Sequence, residues 1–187
     1  MNQFVRFAIL LLCVAKIVGA SGLLEKVALT NAGFEKNLDG WKTMIDSADK
    51  KANVTTAQRR NGEASLELKY GPWGGGVQQK IGRPLNNGAT VKISAYVLMP
   101  TGGSRHNKVL AFEIQGLDSN GKVIWTTSSF HDARFKGPHE KWTRLTFEPT
   151  NLAPAAAFNI LINTQNGDGN GPSESVFVDD LQVEVVN

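Results

Sequence analysis

The sequence predicts an all-β domain of two facing antiparallel sheets. Three observations predict it: apolar residues recur with a period of two, helical periodicity is nearly absent, and turn signals punctuate the runs at short intervals. Val91, Ile93, Ala95 and Val97 fall on one face, with Thr90, Lys92, Ser94 and Tyr96 on the other. Leu110, Phe112 and Ile114 alternate with Ala111, Glu113 and Gln115, and Phe158, Ile160 and Ile162 alternate with Asn159, Leu161 and Asn163. Such alternation fits strands with one buried face. Asn61-Gly62, Asn86-Asn87-Gly88, Asp118-Ser119-Asn120-Gly121 and Asn166-Gly167-Asp168-Gly169 supply residues tolerant of positive φ between the runs.

Strands are expected near 26–31, 40–45, 52–56, 64–70, 76–82, 89–99, 108–117, 121–128, 141–148, 156–163 and 175–185. Many short strands with such turns indicate a sandwich or jelly roll. The longest loops fall near 71–76, 100–107, 129–140 and 164–174. Loops on a rigid sandwich often carry function.

The N-terminus reads as an export signal. Arg6 supplies positive charge, Phe7 to Ala15 a short apolar run, and Val18-Gly19-Ala20 the small residues of a cleavage site after Ala20. Residues 1–20 are therefore expected to be a signal peptide and 21–187 one domain, secreted and free of the membrane after cleavage. The apolar run is shorter than the ~20 residues a spanning helix needs.

Cleavage changes the charge. The whole chain has 20 Lys and Arg against 17 Asp and Glu; without Arg6 and Lys16 the balance is 18 against 17, or +1. The pI of about 9.0 then says little about the folded surface. The basic pairs Lys50-Lys51 and Arg59-Arg60 are too short to follow a phosphate backbone, so nucleic acid is not expected as a partner. The single cysteine, Cys13, lies in the leader, so the folded domain has to rest on its core without a disulfide.

The order of short motifs resembles the carbohydrate-binding modules with a galactose-binding-like jelly roll, families four, nine and twenty-two. Asn31-Ala32-Gly33-Phe34-Glu35 followed by Gly40-Trp41 resembles their opening, and Arg60-Asn61-Gly62 before Ala64-Ser65-Leu66-Glu67-Leu68 their next strand. Gly76 to Ile81, Gly88 to Tyr96, Lys141 to Leu145 and Phe177-Val178-Asp179-Asp180-Leu181 are similar to later motifs in the same order. The resemblance implies a jelly-roll β-sandwich and a carbohydrate ligand. It also implies a calcium ion pinning the chain ends, with Glu35 and Asp180 as carboxylate ligands and backbone carbonyls near Asn31, Gly33 and Asn61. Hard oxygens of this kind suit calcium. The alternative is that these carboxylates are solvated.

A sugar site needs exposed aromatic rings, on which C–H faces stack, beside planar polar groups that take hydroxyls. Trp41 and Trp142 fall in scaffold motifs and are expected in the core. Trp73, between glycines in the 71–76 loop, Trp125 and Tyr96 are the candidate platforms. Glu113, Gln115 and Asn159 are candidate polar partners, with His131 from the 129–140 loop. Gln79 shares a register with Val77 and Ile81, which would bury it, yet the family pattern places a glutamine there. The expectation is one groove lined by these groups, with Tyr96 and Trp73 at its rim. A solvated sheet face is the alternative.

Nothing here spells an enzyme. There is no G-x-S-x-G elbow, and Glu113 pairs convincingly with neither Asp118 nor Asp132 across a cleft, as a glycosidase would require. A polysaccharide lyase using Tyr96, His131 and Arg134 lacks supporting spacing. The reading is a secreted, non-catalytic carbohydrate binder acting beside separate polysaccharide-degrading enzymes. The competing reading is a secreted structural or protein-recognition sandwich. Asn53-Val54-Thr55 is an N-glycosylation sequon.

Overall fold

A computed structural model of the chain describes residues 22–44, 52–70, 75–99, 108–132, 141–166 and 175–187. Among them are eleven strands: β1 Glu25–Val27, β2 Lys42–Thr43, β3 Ala52–Thr55, β4 Ser65–Lys69, β5 Gly76–Ile81, β6 Thr90–Leu98, β7 Lys108–Leu117, β8 Val123–Asp132, β9 Thr143–Phe147, β10 Ala157–Asn166 and β11 Ser175–Val186. They form two antiparallel sheets. The six-stranded sheet runs β3-β4-β11-β6-β9, with β1 also paired to β11; the five-stranded sheet runs β2-β5-β10-β7-β8. The signal-like segment 1–20 and Trp73 lie outside the described residues.

The alternation read from the sequence is what closes the sandwich. Val91, Ile93 and Val97 of β6 and Val183 and Val185 of β11 face Leu110, Phe112 and Ile114 of β7 and Phe158, Ile160 and Ile162 of β10 across one buried core. Phe34 and Trp41 close one end, their rings 5.3 Å apart and tilted by 37°. Phe34 takes a left-handed φ of 61°, held by its amide donating to the Asn31 carbonyl. The Trp41 indole donates to the same carbonyl at 3.2 Å. Trp142 is half-buried and stands apart from this main cluster.

Two elements depart from expectation. β8 runs on to Asp132, pairing along β7 from Leu117↔Val123 to Val109↔Asp132, where a loop from 129 is expected. β11 breaks its register with β6 between Asp179 and Gln182, where Asp180 adopts a φ of 51°. Such a bulge turns successive side chains in new directions, and aspartate tolerates the left-handed region better than most residues.

Candidate functional site

The outer side of the five-stranded sheet gathers the expected polar partners. Registers across β5, β10, β7 and β8 align Lys80, Asn159, Gln115 and Thr126 in one row and Gln78, Leu161, Glu113 and Ser128 in the next. The Asn159 amide donates to Gln115 Oε1 at 3.3 Å, and the Gln115 amide donates to Glu113 Oε1 at 2.7 Å. These three side chains are half-buried, so the network is held by its own hydrogen bonds and still meets solvent. A third row aligns Gly76, Asn163, Ala111 and Phe130. Asn163 is buried, and its Oδ1 has no hydrogen-bond partner among the described residues. A buried acceptor left unpaired costs about 1–3 kcal/mol.

Phe130 is the residue that sequence reasoning missed. It is 58% exposed and stands opposite the buried Ala111. Once β8 extends to Asp132, Phe130 shares a face with Thr126 and Ser128. The signal was present as alternation, but Thr-Thr-Ser-Ser before Phe130 carries almost no hydrophobic contrast. Met44, 39% exposed, stands at the opposite edge, its amide donating to the Gly76 carbonyl.

Other expected site residues are placed elsewhere. Tyr96 belongs to β6 of the six-stranded sheet, with the Arg60 guanidinium 3.4 Å above its ring. It cannot rim a groove on the other sheet. Trp125 is in register with Gly116 and packs on the core side; a Cβ at Gly116 would fall 2.1 Å from the indole. Its place is set because Gly116 continues the Phe112–Ile114 face. Gln79 is buried, as its register with Val77 requires, and its hydrogen bonds go to backbone. Its Oε1 accepts from the Thr30 amide, and its Nε2 donates to the Thr30 and Gly40 carbonyls. It anchors the 30–40 segment to β5. His131 pairs by its backbone with Leu110, and its side chain is outside what the structure describes.

The adjacent carboxylates Asp179 and Asp180 diverge at the β11 bulge. Asp179 is fully buried: Oδ2 accepts from the Arg60 and Asn61 amides at 3.0 and 3.1 Å, and Oδ1 from the Asp180 amide at 2.7 Å. Burial raises its pKa above the ordinary aspartate value, and the three amides pull it back down. Asp180 turns outward and receives the Arg60 guanidinium and the Asn61 amide. Among the expected calcium ligands, Asp180 is thus already neutralised by a cation. Asn31 is engaged locally, its Oδ1 accepting from the Lys36 amide and its carbonyl from Phe34 and Trp41. The Asn61 side chain is turned to Asp180.

One residue back, Asp179 lies near a second carboxylate, Glu35. Glu35 Oε1 and Asp179 Oδ1 each lie 3.8 Å from where a Cβ on Gly33 would stand. Glu35 also fills the space a side chain at Gly62 would need. Both carboxylates thus lie beside Gly33, and Asp179 is buried without a basic side chain paired to it among the described residues. No cluster of three or more His, Cys, Asp or Glu side chains occurs among the described residues, so carbonyls would have to complete a calcium shell.

Comparisons with known proteins agree with this architecture. A family model described as a carbohydrate binding domain, CBM_4_9, matches residues 27–168. No curated protein matches the chain. The CBM22-1 xylan-binding domain of Paenibacillus barcinonensis Xyn10C superposes with a TM-score of 0.56 at 19% identity, covering 89% of this chain and 96% of that one. TmCBM61, solved in complex with beta-1,4-galactotriose, gives 0.54 at 15% identity, covering 83% and 95%. The family 16 carbohydrate binding module-2 gives 0.55 at 16% identity, covering 85% and 99%. At such identities these likenesses establish the fold, a jelly-roll β-sandwich. Because the family model spans most of its length, the chain belongs to the carbohydrate binding domain family.

Proposed function

We propose that the protein is an exported, non-catalytic glycan-binding module that holds a polysaccharide across the outer side of the five-stranded sheet. The observation that carries this is the shared face of exposed Phe130 and the hydrogen-bonded chain Glu113–Gln115–Asn159. The ring offers a stacking surface. The amides and carboxylate keep lone pairs and N–H groups free for sugar hydroxyls. By strand spacing and rise, Phe130 and Lys80 are roughly 20 Å apart on the diagonal, room for several pyranose rings. An apolar ring at one end and a polar row beyond it favour an internal stretch of chain over a single sugar.

The non-catalytic reading is supported by the match to a carbohydrate binding domain. Among the described side chains of this sheet, Glu113 is the one carboxylate on the outer side, and Asp118 is turned to the Asn120 and Lys122 amides. Hydrolysis by two carboxyls needs a second across the cleft. Export is supported by the leader pattern of residues 1–20. Calcium is a structural part of the proposal, with Glu35 and Asp179 as the residues that would hold it.

The test is retention on a panel of insoluble polysaccharides, wild type beside Phe130→Ala. Phe130 is exposed, so its loss changes stability by no more than about 0.5 kcal/mol. Retention should fall tenfold or more, about 1.4 kcal/mol. Equal retention by both proteins would remove the stacking surface from the account.

A further inference from the structure

The same face carries a pair of charges that stacking and amide contacts leave unexplained. Lys42 on β2 and Lys80 on β5 are both exposed on the outer side. Lys42 is in register with Gln78, so Lys80 stands diagonally beside it, about 7–8 Å away by backbone. With Gln78, Asn159, Gly40 and Gly121 they line an open depression of about 310 Å³. Gly40 and Gly121 hold left-handed φ values of 78° and 81°; Thr30 fills the space a side chain at Gly40 would need, while the missing side chain at Gly121 leaves that wall open to a close approach. The Lys80 ammonium reaches this wall, 3.9 Å from where a Cβ on Gly121 would stand.

Neither lysine makes an ion pair among the described residues. Glu113 is two strands from Lys80 in the sheet order, about 10 Å or more by strand spacing, and accepts from Gln115 instead. On the other sheet Lys92 lies between Glu148 and Glu184 at 3.5 and 4.0 Å. Two ammonium groups without an ion pair among the described residues thus meet at one polar depression in line with the sugar row.

We propose that Lys42 and Lys80 bind the anionic substituent, carboxylate or sulfate ester, of an acidic sugar residue, which makes the ligand an acidic polysaccharide. The proposal rests on reading this face as the glycan site. A lysine acts as a compact point charge and suits a single anionic group, while Gln78 and Asn159 take neighbouring hydroxyls. Exposed charges of this kind are screened by salt, so binding should weaken as ionic strength rises.

The experiment is affinity electrophoresis of the full chain, in low and high salt, through a polyuronate, a sulfated galactan and an uncharged β-glucan. Wild type is compared with Lys42→Gln/Lys80→Gln, both proteins checked by melting temperature. The expected result is retardation by at least one acidic polysaccharide, weakened by salt and reduced tenfold or more in the double variant; the polyuronate and sulfated lanes tell the two anions apart. Retardation by the uncharged glucan alone, equal in both proteins, would overturn the acidic ligand and leave the glycan site standing. Acidic retardation unchanged in the double variant would overturn the lysine assignment. Retardation by none of the three would count against the glycan site itself.

Discussion

The outer sides of the two sheets have similar composition and opposite economy. On the six-stranded sheet the polar groups satisfy one another. Arg60 lies over Tyr96 and on Asp180, Arg144 donates to Ser94 and Gln182, and Lys92 lies between two glutamates. On the five-stranded sheet the amide row is only partly satisfied, two lysines are unpaired among the described residues, and a phenylalanine stands in solvent. A closed polar surface stiffens a fold and offers little to a partner. An open one keeps hydrogen-bonding and stacking capacity for a ligand. Polar composition alone therefore does not mark a binding face; the unpaired remainder does.

The largest expected effect tests the closed side. Asp179→Ala removes a buried acceptor and strands the Arg60 and Asn61 amides, and should cost about 3 kcal/mol in chemical denaturation. Asp180→Ala breaks a partly exposed pair and should cost less than about 1 kcal/mol. Calcium sharpens the contrast: it should raise the melting temperature of wild type and of Asp180→Ala, and not that of Asp179→Ala. Equal costs at the two positions would mean the bulge does not separate their roles.

A smaller effect is expected at Tyr96. Tyr96→Ala loses the cation–π contact, about 0.5–1 kcal/mol of stability, and should leave polysaccharide retention unchanged. Lost retention at normal stability would move part of the site to the six-stranded sheet.

How these faces could be read from the sequence follows from what alternation encodes. It distinguishes inside from outside along one strand, and so it identified Glu113, Gln115 and Asn159 as outward residues and Gln79 as an inward one. It does not say to which sheet a strand belongs, because that depends on pairing between distant segments. Tyr96 and Glu113 looked like members of one groove for that reason, although β6 and β7 lie in different sheets. Trp125 needed its partner Gly116 to be placed. Phe130 was hidden by an edge strand whose polar residues occupy both faces. Asp179 and Asp180 were separable only through the bulge, a local break in period that leaves no compositional mark.

The most direct measurement is a titration of the isotopically labelled protein with a retained oligosaccharide, followed by backbone and side-chain amide resonances. Saturable shifts are expected at Gln78, Gln115, Asn159 and Phe130, with Ser94, Tyr96 and Arg144 unmoved. Shifts concentrated on those three residues, with the five-stranded face silent, would contradict the proposed site.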